Sequence, residues 1–161
     1  MGNAFSDNKA EAAIFFFCSL AIFFLKLAIS VKIVEEPWFQ DLKGNYLIND
    51  PWISAITGIL AFTLGFIGVF FLIESEAILV AGLFLLGLIF SMFWQLILLS
   101  TKSLAAAIGG LVFIIVYYAF LTYYILRLST VAGMLQFFIL IRYIFIFINY
   151  VLVYSQNNES L

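Results

Sequence analysis

Long stretches in which nearly every residue is apolar alternate along this chain with short breaks that collect charges, amides and hydroxyls. Five apolar runs stand out, over residues 13–34, 52–73, 77–99, 104–126 and 131–154. Each provides roughly the 20 residues that a helix needs to cross ~30 Å of hydrocarbon. The runs are continuously apolar, without the alternation of lipid-facing and lumen-facing residues that a transmembrane strand requires, so they predict helices rather than a barrel. The expected fold is all-α: a polytopic transmembrane bundle of five helices in up-and-down order, with a polar segment (residues 1–12) before it and a polar tail (residues 155–161) after it.

The breaks add detail. Residues 35–50 form the one long connection and hold Pro37, Asp41, Lys43 and Gly44. Trp38 beside Phe39, and Trp52 just after Pro51, read as interface anchors, because amphipathic rings favour the headgroup level. The other breaks, Glu74-Ser75-Glu76, Ser100-Thr101-Lys102-Ser103 and Arg127-Leu128-Ser129-Thr130, are only turns. Consecutive helices are therefore expected to be antiparallel neighbours.

Composition agrees with this solvent. The chain is 66% hydrophobic and 10% charged, where a soluble domain is about a quarter charged. The net charge of −2 comes from 7 basic and 9 acidic residues with no polybasic cluster, so nucleic acid is not an expected partner. Membrane lipids, other membrane subunits or a second copy of the chain are. There is no histidine, which removes the commonest metal ligand and the commonest neutral-pH acid/base group; no cofactor or metal is expected. Cys18 is the single cysteine, so no intrachain disulfide can form. Residues 1–12 are too acidic for a transit peptide and lack the basic start of a signal peptide, so the first helix is expected to be retained. Lys9 and Arg127 fall on one side of a five-helix topology and Lys32, Lys43 and Lys102 on the other, a near balance that leaves orientation open. Integral membrane localisation is expected, and the mitochondrial inner membrane and the endoplasmic reticulum both suit it.

Arg142 is the most informative single residue, since it lies midway along the last run. A central arginine costs roughly 2.5 to 3.5 kcal/mol to insert, so it must face protein, water or a bound anion. Asn149, one heptad further on, and Gln95, Tyr117 or Tyr118 on other helices are candidate acceptors; a partner's carboxylate or a lipid phosphate would serve better. Lys26 lies about two turns from its helix end and is expected to extend its amine to the interface. Arg142, Asn149 and Lys26 are the candidate lipid- or partner-binding residues.

Ser54, Gly58, Ala61, Gly65 and Gly68 repeat at spacings of four and three, a continuous small-residue face that lets another helix approach closely. Ala105, Ala106, Gly109 and Gly110 offer a similar face on the fourth helix. Two terminal patterns are weaker: Gly2 fits a myristoylation signal, and Asn158-Glu159-Ser160 reads as a glycosylation acceptor too close to the last helix to be used. No phosphate-binding glycine loop, paired intramembrane carboxylates or activated nucleophile can be assembled.

Over residues 12–125 the chain resembles the membrane-associated proteins in eicosanoid and glutathione metabolism. The likeness rests on Lys26 in the first helix, the Asn49-Asp50 pair entering the second, and the stretch from Gly68 through Glu76 to Gly87. It implies their helical bundle and, since members form trimers, an oligomer. The arginines and glutamate of that family's glutathione site are not kept, so the resemblance implies the bundle without the catalysis. The chain is also similar to the tryptophan-rich sensory and translocator family in Trp38-Phe39, Leu42, Pro51-Trp52, Ala132-Gly133 and Ile148-Asn149. That resemblance implies five helices around a ligand cavity, although the family's paired prolines and third-helix Asn and Trp-Ser are absent. The expected function is that of a non-catalytic accessory subunit of a larger membrane complex. A lipid- or small-ligand-binding protein of translocator type and a glutathione-dependent membrane enzyme are the alternatives.

Overall fold

The computed structural model describes the backbone of residues 4–44, 51–70 and 78–158, and the side chains of residues 13–44, 56–70 and 79–157. Gly2, the turn Glu74-Ser75-Glu76 and the pair Glu159-Ser160 lie outside the described residues, as do the side chains of Trp52 and Ser54. The described chain is all-α, with six helices: α1 (Ala4–Glu35), α2 (Pro37–Gln40), α3 (Pro51–Phe70), α4 (Ile78–Thr101), α5 (Leu104–Leu128) and α6 (Thr130–Asn158). Four of them, α1, α4, α5 and α6, are long and apolar enough to cross a membrane; the apolar part described for α3, Ile56–Phe70, is shorter. The chain therefore has the build of an integral membrane protein. Helix extends beyond the apolar runs at both ends: α1 begins at Ala4, within the polar N-terminal segment, and α6 continues to Asn158.

Local chemistry sets the boundaries. Glu36 precedes Pro37 and takes the extended conformation (φ −67°, ψ 128°) that proline imposes on its predecessor, ending α1 and starting the four-residue α2. Lys102 closes α4 in the left-handed region (φ 51°), its N–H donating to the Leu98 carbonyl at 2.9 Å. Ser103 then caps α5 by accepting from the Ala106 N–H at 3.3 Å, so the turn between these two helices needs only two residues. Ser129 does the same for α6, accepting from Ala132 N–H at 3.4 Å.

Helix directions alternate along the chain. α1 runs parallel to α4, because Phe15 meets Phe84 and Ser30 meets Gln95. α5 runs antiparallel to α4, with Tyr117 over Phe90 and Gly110 against Trp94. α6 is antiparallel to both α5 and α3. Neighbourhood, however, differs from the expectation of consecutive packing. α4, α5 and α6 do pack in chain order, but α3 makes its main contact with α6, and α1 with α4; α1 against α3 and α3 against α4 are minor interfaces.

The face Gly58, Ala61, Gly65 and Gly68 explains this exchange of partners. All four are buried on one side of α3, and the three glycines are turned to α6. A Cβ at Gly68 would stand 2.9 Å from the Ala132 carbonyl oxygen, and one at Gly65 would collide with the Ile139 side chain. Short turns fix direction, but the long connection before α3 leaves its position free, and this small face decides it. The corresponding residues of α5 behave differently. Gly110 lies against Trp94, whereas Gly109 has open space beside it and Ala105 is exposed.

At one end the helices are clasped together. Lys102 at the end of α4 pairs with Glu36 at the end of α1 (3.1 Å). Asn157 of α6 both accepts from the Lys43 N–H (3.1 Å) and donates to its carbonyl (3.0 Å), tying down the strand of chain that follows α2. Trp38 in α2 is half-buried, edge-on to the fully buried Phe39 at 5.5 Å. Many large apolar side chains, Phe17, Phe24, Phe93, Phe120 and Phe145 among them, point outward, as they must where the surroundings are hydrocarbon.

Candidate functional site

The interior divides across the bundle. Towards the start of α1, phenylalanines fill it: Phe15 stacks on Phe66 (5.2 Å), Phe23 on Phe62 (4.5 Å), and Phe84 closes the group from α4. Immediately beyond the Phe23 and Phe62 pair the helices border a cavity of about 900 Å³ that is open on one side. Its walls come from all six helices, α2 through Phe39 alone and α5 through Tyr118 alone, and its size falls within the ~300–1,000 Å³ typical of small-molecule sites.

Both intramembrane cations line this cavity. Lys26 does not extend towards the interface. It is 9% exposed, and its ammonium donates to the Tyr143 hydroxyl at 2.6 Å while lying 5.1 Å from that ring's centroid. Its helix position placed it two turns from an end, but rotation of α1 against α4 and α6 turns it inward. Arg142 comes from the opposite wall. Its guanidinium sits 5.8 Å from the Tyr143 ring centroid and passes over Gly58, where a Cβ would approach Nη2 to 3.1 Å. Gly58 therefore leaves room for the arginine as well as for the α3 to α6 seam. Glu35 is the acidic residue on the cavity wall, nine residues beyond Lys26 and so about 13 Å further along α1.

Tyr143 is the hub of this arrangement. It is fully buried, serves Lys26 through its hydroxyl, carries Arg142 beside its ring, and stacks at 5.1 Å and 16° on Tyr118 of α5. Tyr118 in turn packs against Gly87 of α4, where a Cβ would come within 3.0 Å of its hydroxyl. Of the acceptors considered for Arg142, Asn149, Gln95 and Tyr118 line the same cavity. Tyr117 is directed elsewhere and donates to the Leu83 carbonyl at 2.6 Å.

A second polar chain runs beside the first. Gln95 Nε2 donates to Ser30 Oγ at 2.6 Å, and Ser30 Oγ donates to the Lys26 carbonyl at 3.1 Å. Three residues that line the cavity also carry a fully buried polar atom with no hydrogen-bond partner among the described residues: Gln95 Oε1, the Tyr118 hydroxyl and Trp94 Nε1. In hydrocarbon such groups cost several kcal/mol unless something satisfies them. Among the described residues no cluster of His, Cys, Asp or Glu could hold a metal ion.

Reading the sequence alone missed Tyr143, Ser30 and the inward turn of Lys26. A signal was present. Phe15, Ser19, Lys26, Ser30 and Ile33 recur at helical spacing, and the first two, Lys26 and Ile33 are buried with Ser30 half-buried. This mixed polar and apolar stripe is what an interior-facing side of a membrane helix looks like.

Comparison of the chain with protein families, with characterised proteins and with solved structures finds no significant match.

Proposed function

We propose that this protein is a membrane-embedded binding protein of the translocator kind, whose five-crossing bundle holds a lipid-like molecule by its acidic group in the cavity between α1, α3, α4 and α6. α3 is the fifth crossing in this reading: its 20 residues make a rod of about 30 Å, the thickness of the hydrocarbon core. The observation that carries the proposal is that Lys26 and Arg142, from facing helices, line one otherwise largely apolar and aromatic cavity. A cation buried at membrane depth is expensive, and two turned to the same space favour an anion there. The apolar wall suits an acyl chain.

The test is equilibrium binding of a long-chain acid, palmitate, to the purified chain in nanodiscs of zwitterionic lipid, for wild type, Lys26→Met and Arg142→Leu. Each substitution removes one charge-assisted contact and should weaken binding by at least tenfold. Equal binding by all three proteins, or none by wild type, would sink the reading. Gly109 and Ala105 favour a second reading, the accessory subunit of a larger complex, because they leave a small-residue surface on the outside of α5 where another helix can approach. Native mass after mild-detergent extraction separates the two: Gly109→Leu would release the chain from a large assembly under the subunit reading and leave its mass unchanged under the binding one.

A further inference from the structure

The wall of the cavity is not uniform. Lys26, Leu88, Trp94, Tyr118 and Tyr143 are buried, whereas Val31 of α1, Leu60 of α3 and Phe138, Ile141 and Phe145 of α6 line the same space and stand about half exposed. All five of these rim residues are apolar. Leu60 lies midway along α3, and Phe138 and Phe145 lie about one turn to either side of Arg142, near the middle of α6. A surface at that depth meets lipid tails rather than water. Packing explains why the wall gives way. α1 is held mainly by α4, and α3 mainly by α6, so the seam between α1 and α3 is minor. Stacked rings, Phe15 on Phe66 and Phe23 on Phe62, close that seam towards the start of α1, and Val31 and Leu60 lie beyond them on their helices.

The tail of a bound acid has three ways to run. Towards the start of α1 the interior is already filled with phenylalanine rings. Towards the other end the wall carries Glu35, exposed at the last residue of α1, where a tail would leave hydrocarbon for polar chain. The apolar mouth is the third. We propose that the cavity is a side pocket of the bilayer, which takes in only the acid end of a lipid while the acyl chain passes out between Val31, Leu60, Phe138, Ile141 and Phe145 and stays among the lipid tails. This rests on the acid-binding reading of the same cavity and adds its substrate class and route: bilayer-resident acyl acids, with no limit on the bulk of the far end of the chain. Arg142 marks the threshold. It is half-buried between the rim residues of α6 and passes over Gly58, whereas Lys26, on the Tyr143 hydroxyl, is buried deeper. A closed cavity discriminates against bulk because surplus atoms must be forced into packed protein. An open one hands the surplus to a solvent as apolar as its own wall.

The experiment compares palmitate with palmitate carrying a pyrene on its terminal carbon, on the full chain in zwitterionic nanodiscs, with affinity expressed per mole fraction of acid in the bilayer. The two are expected to agree within about threefold, because the pyrene never enters the protein, where a closed site would disfavour the bulkier acid by about tenfold or more. Nitroxide-labelled lipid in the nanodisc should quench bound pyrene as strongly as unbound. Leu60→Trp combined with Ile141→Trp narrows the mouth and should weaken palmitate binding about fivefold; the two wild-type measurements stand even if this variant does not fold. A tenfold preference for palmitate, shielding of the bound pyrene from the nitroxide, or undiminished affinity in the folded double variant overturns the inference. Palmitate binding that still depends on Lys26 and Arg142 then leaves the acid-binding reading intact. Failure of both acids to bind removes both.

Discussion

The two halves of the bundle interior solve different problems. Around Phe15, Phe62, Phe66 and Phe84 the helices close on one another through stacked and edge-on rings at 4.5 to 6.3 Å. Around Lys26, Gln95, Arg142 and Tyr143 they leave a space lined by polar as well as apolar side chains. Lipid tails are as apolar as a phenylalanine, so association in the first half relies on close dispersion contacts alone. The second half forgoes such contacts. A bundle built only for stability would have filled that space, and the contrast is what the proposed binding role rests on.

The largest test of this division is at the seam that spans both. Gly68→Leu, at the scaffold end, drives a side chain into the Ala132 carbonyl and should destabilise the protein by about 3 kcal/mol in a reversible unfolding assay; wild-type stability in this variant would remove the seam from the scaffold. Next in size, Tyr143→Phe takes away the hydroxyl that Lys26 donates to. It should cost about 2 kcal/mol in the same assay and weaken palmitate binding several-fold; retention of both properties would mean that Lys26 finds another arrangement. Phe62→Leu thins the ring cluster and should cost about 1 kcal/mol by loss of packing while leaving the preference among acyl acids unchanged. A shift in that preference would join the two halves that the comparison separates. Glu36→Gln breaks the ion pair to Lys102 outside both. Under about 1 kcal/mol is expected, decreasing with salt, and a larger loss would make the clasp part of the scaffold.

Much of the scaffold was legible in the sequence because it depends on quantities a sequence carries directly. Run length and continuous apolarity gave the membrane helices, and the spacing of Gly58, Ala61, Gly65 and Gly68 marked the face that receives α6. The site was legible only in part. Arg142 stood out by depth, which can be counted along a helix. Lys26 was assigned to the interface because the same count could not supply rotation, and rotation depends on which helices are neighbours. The pairing of α1 with α4 decides that, and a long connection of polar residues leaves it undetermined until the bundle is assembled. Tyr143 was overlooked for a simpler reason: among 8 tyrosines in an apolar chain, nothing local distinguishes the one that meets a lysine.

The contact between Lys26 and Tyr143 joins residues 117 apart in the chain. Ribosomes add about 5–20 residues per second, so the first helix reaches the membrane roughly ten seconds before the hydroxyl that will receive its ammonium has been made. During that interval the lysine has only water, lipid phosphate or the insertion machinery to turn to. Biogenesis thus includes a waiting period for α1, which ends when α6 emerges and supplies Tyr143.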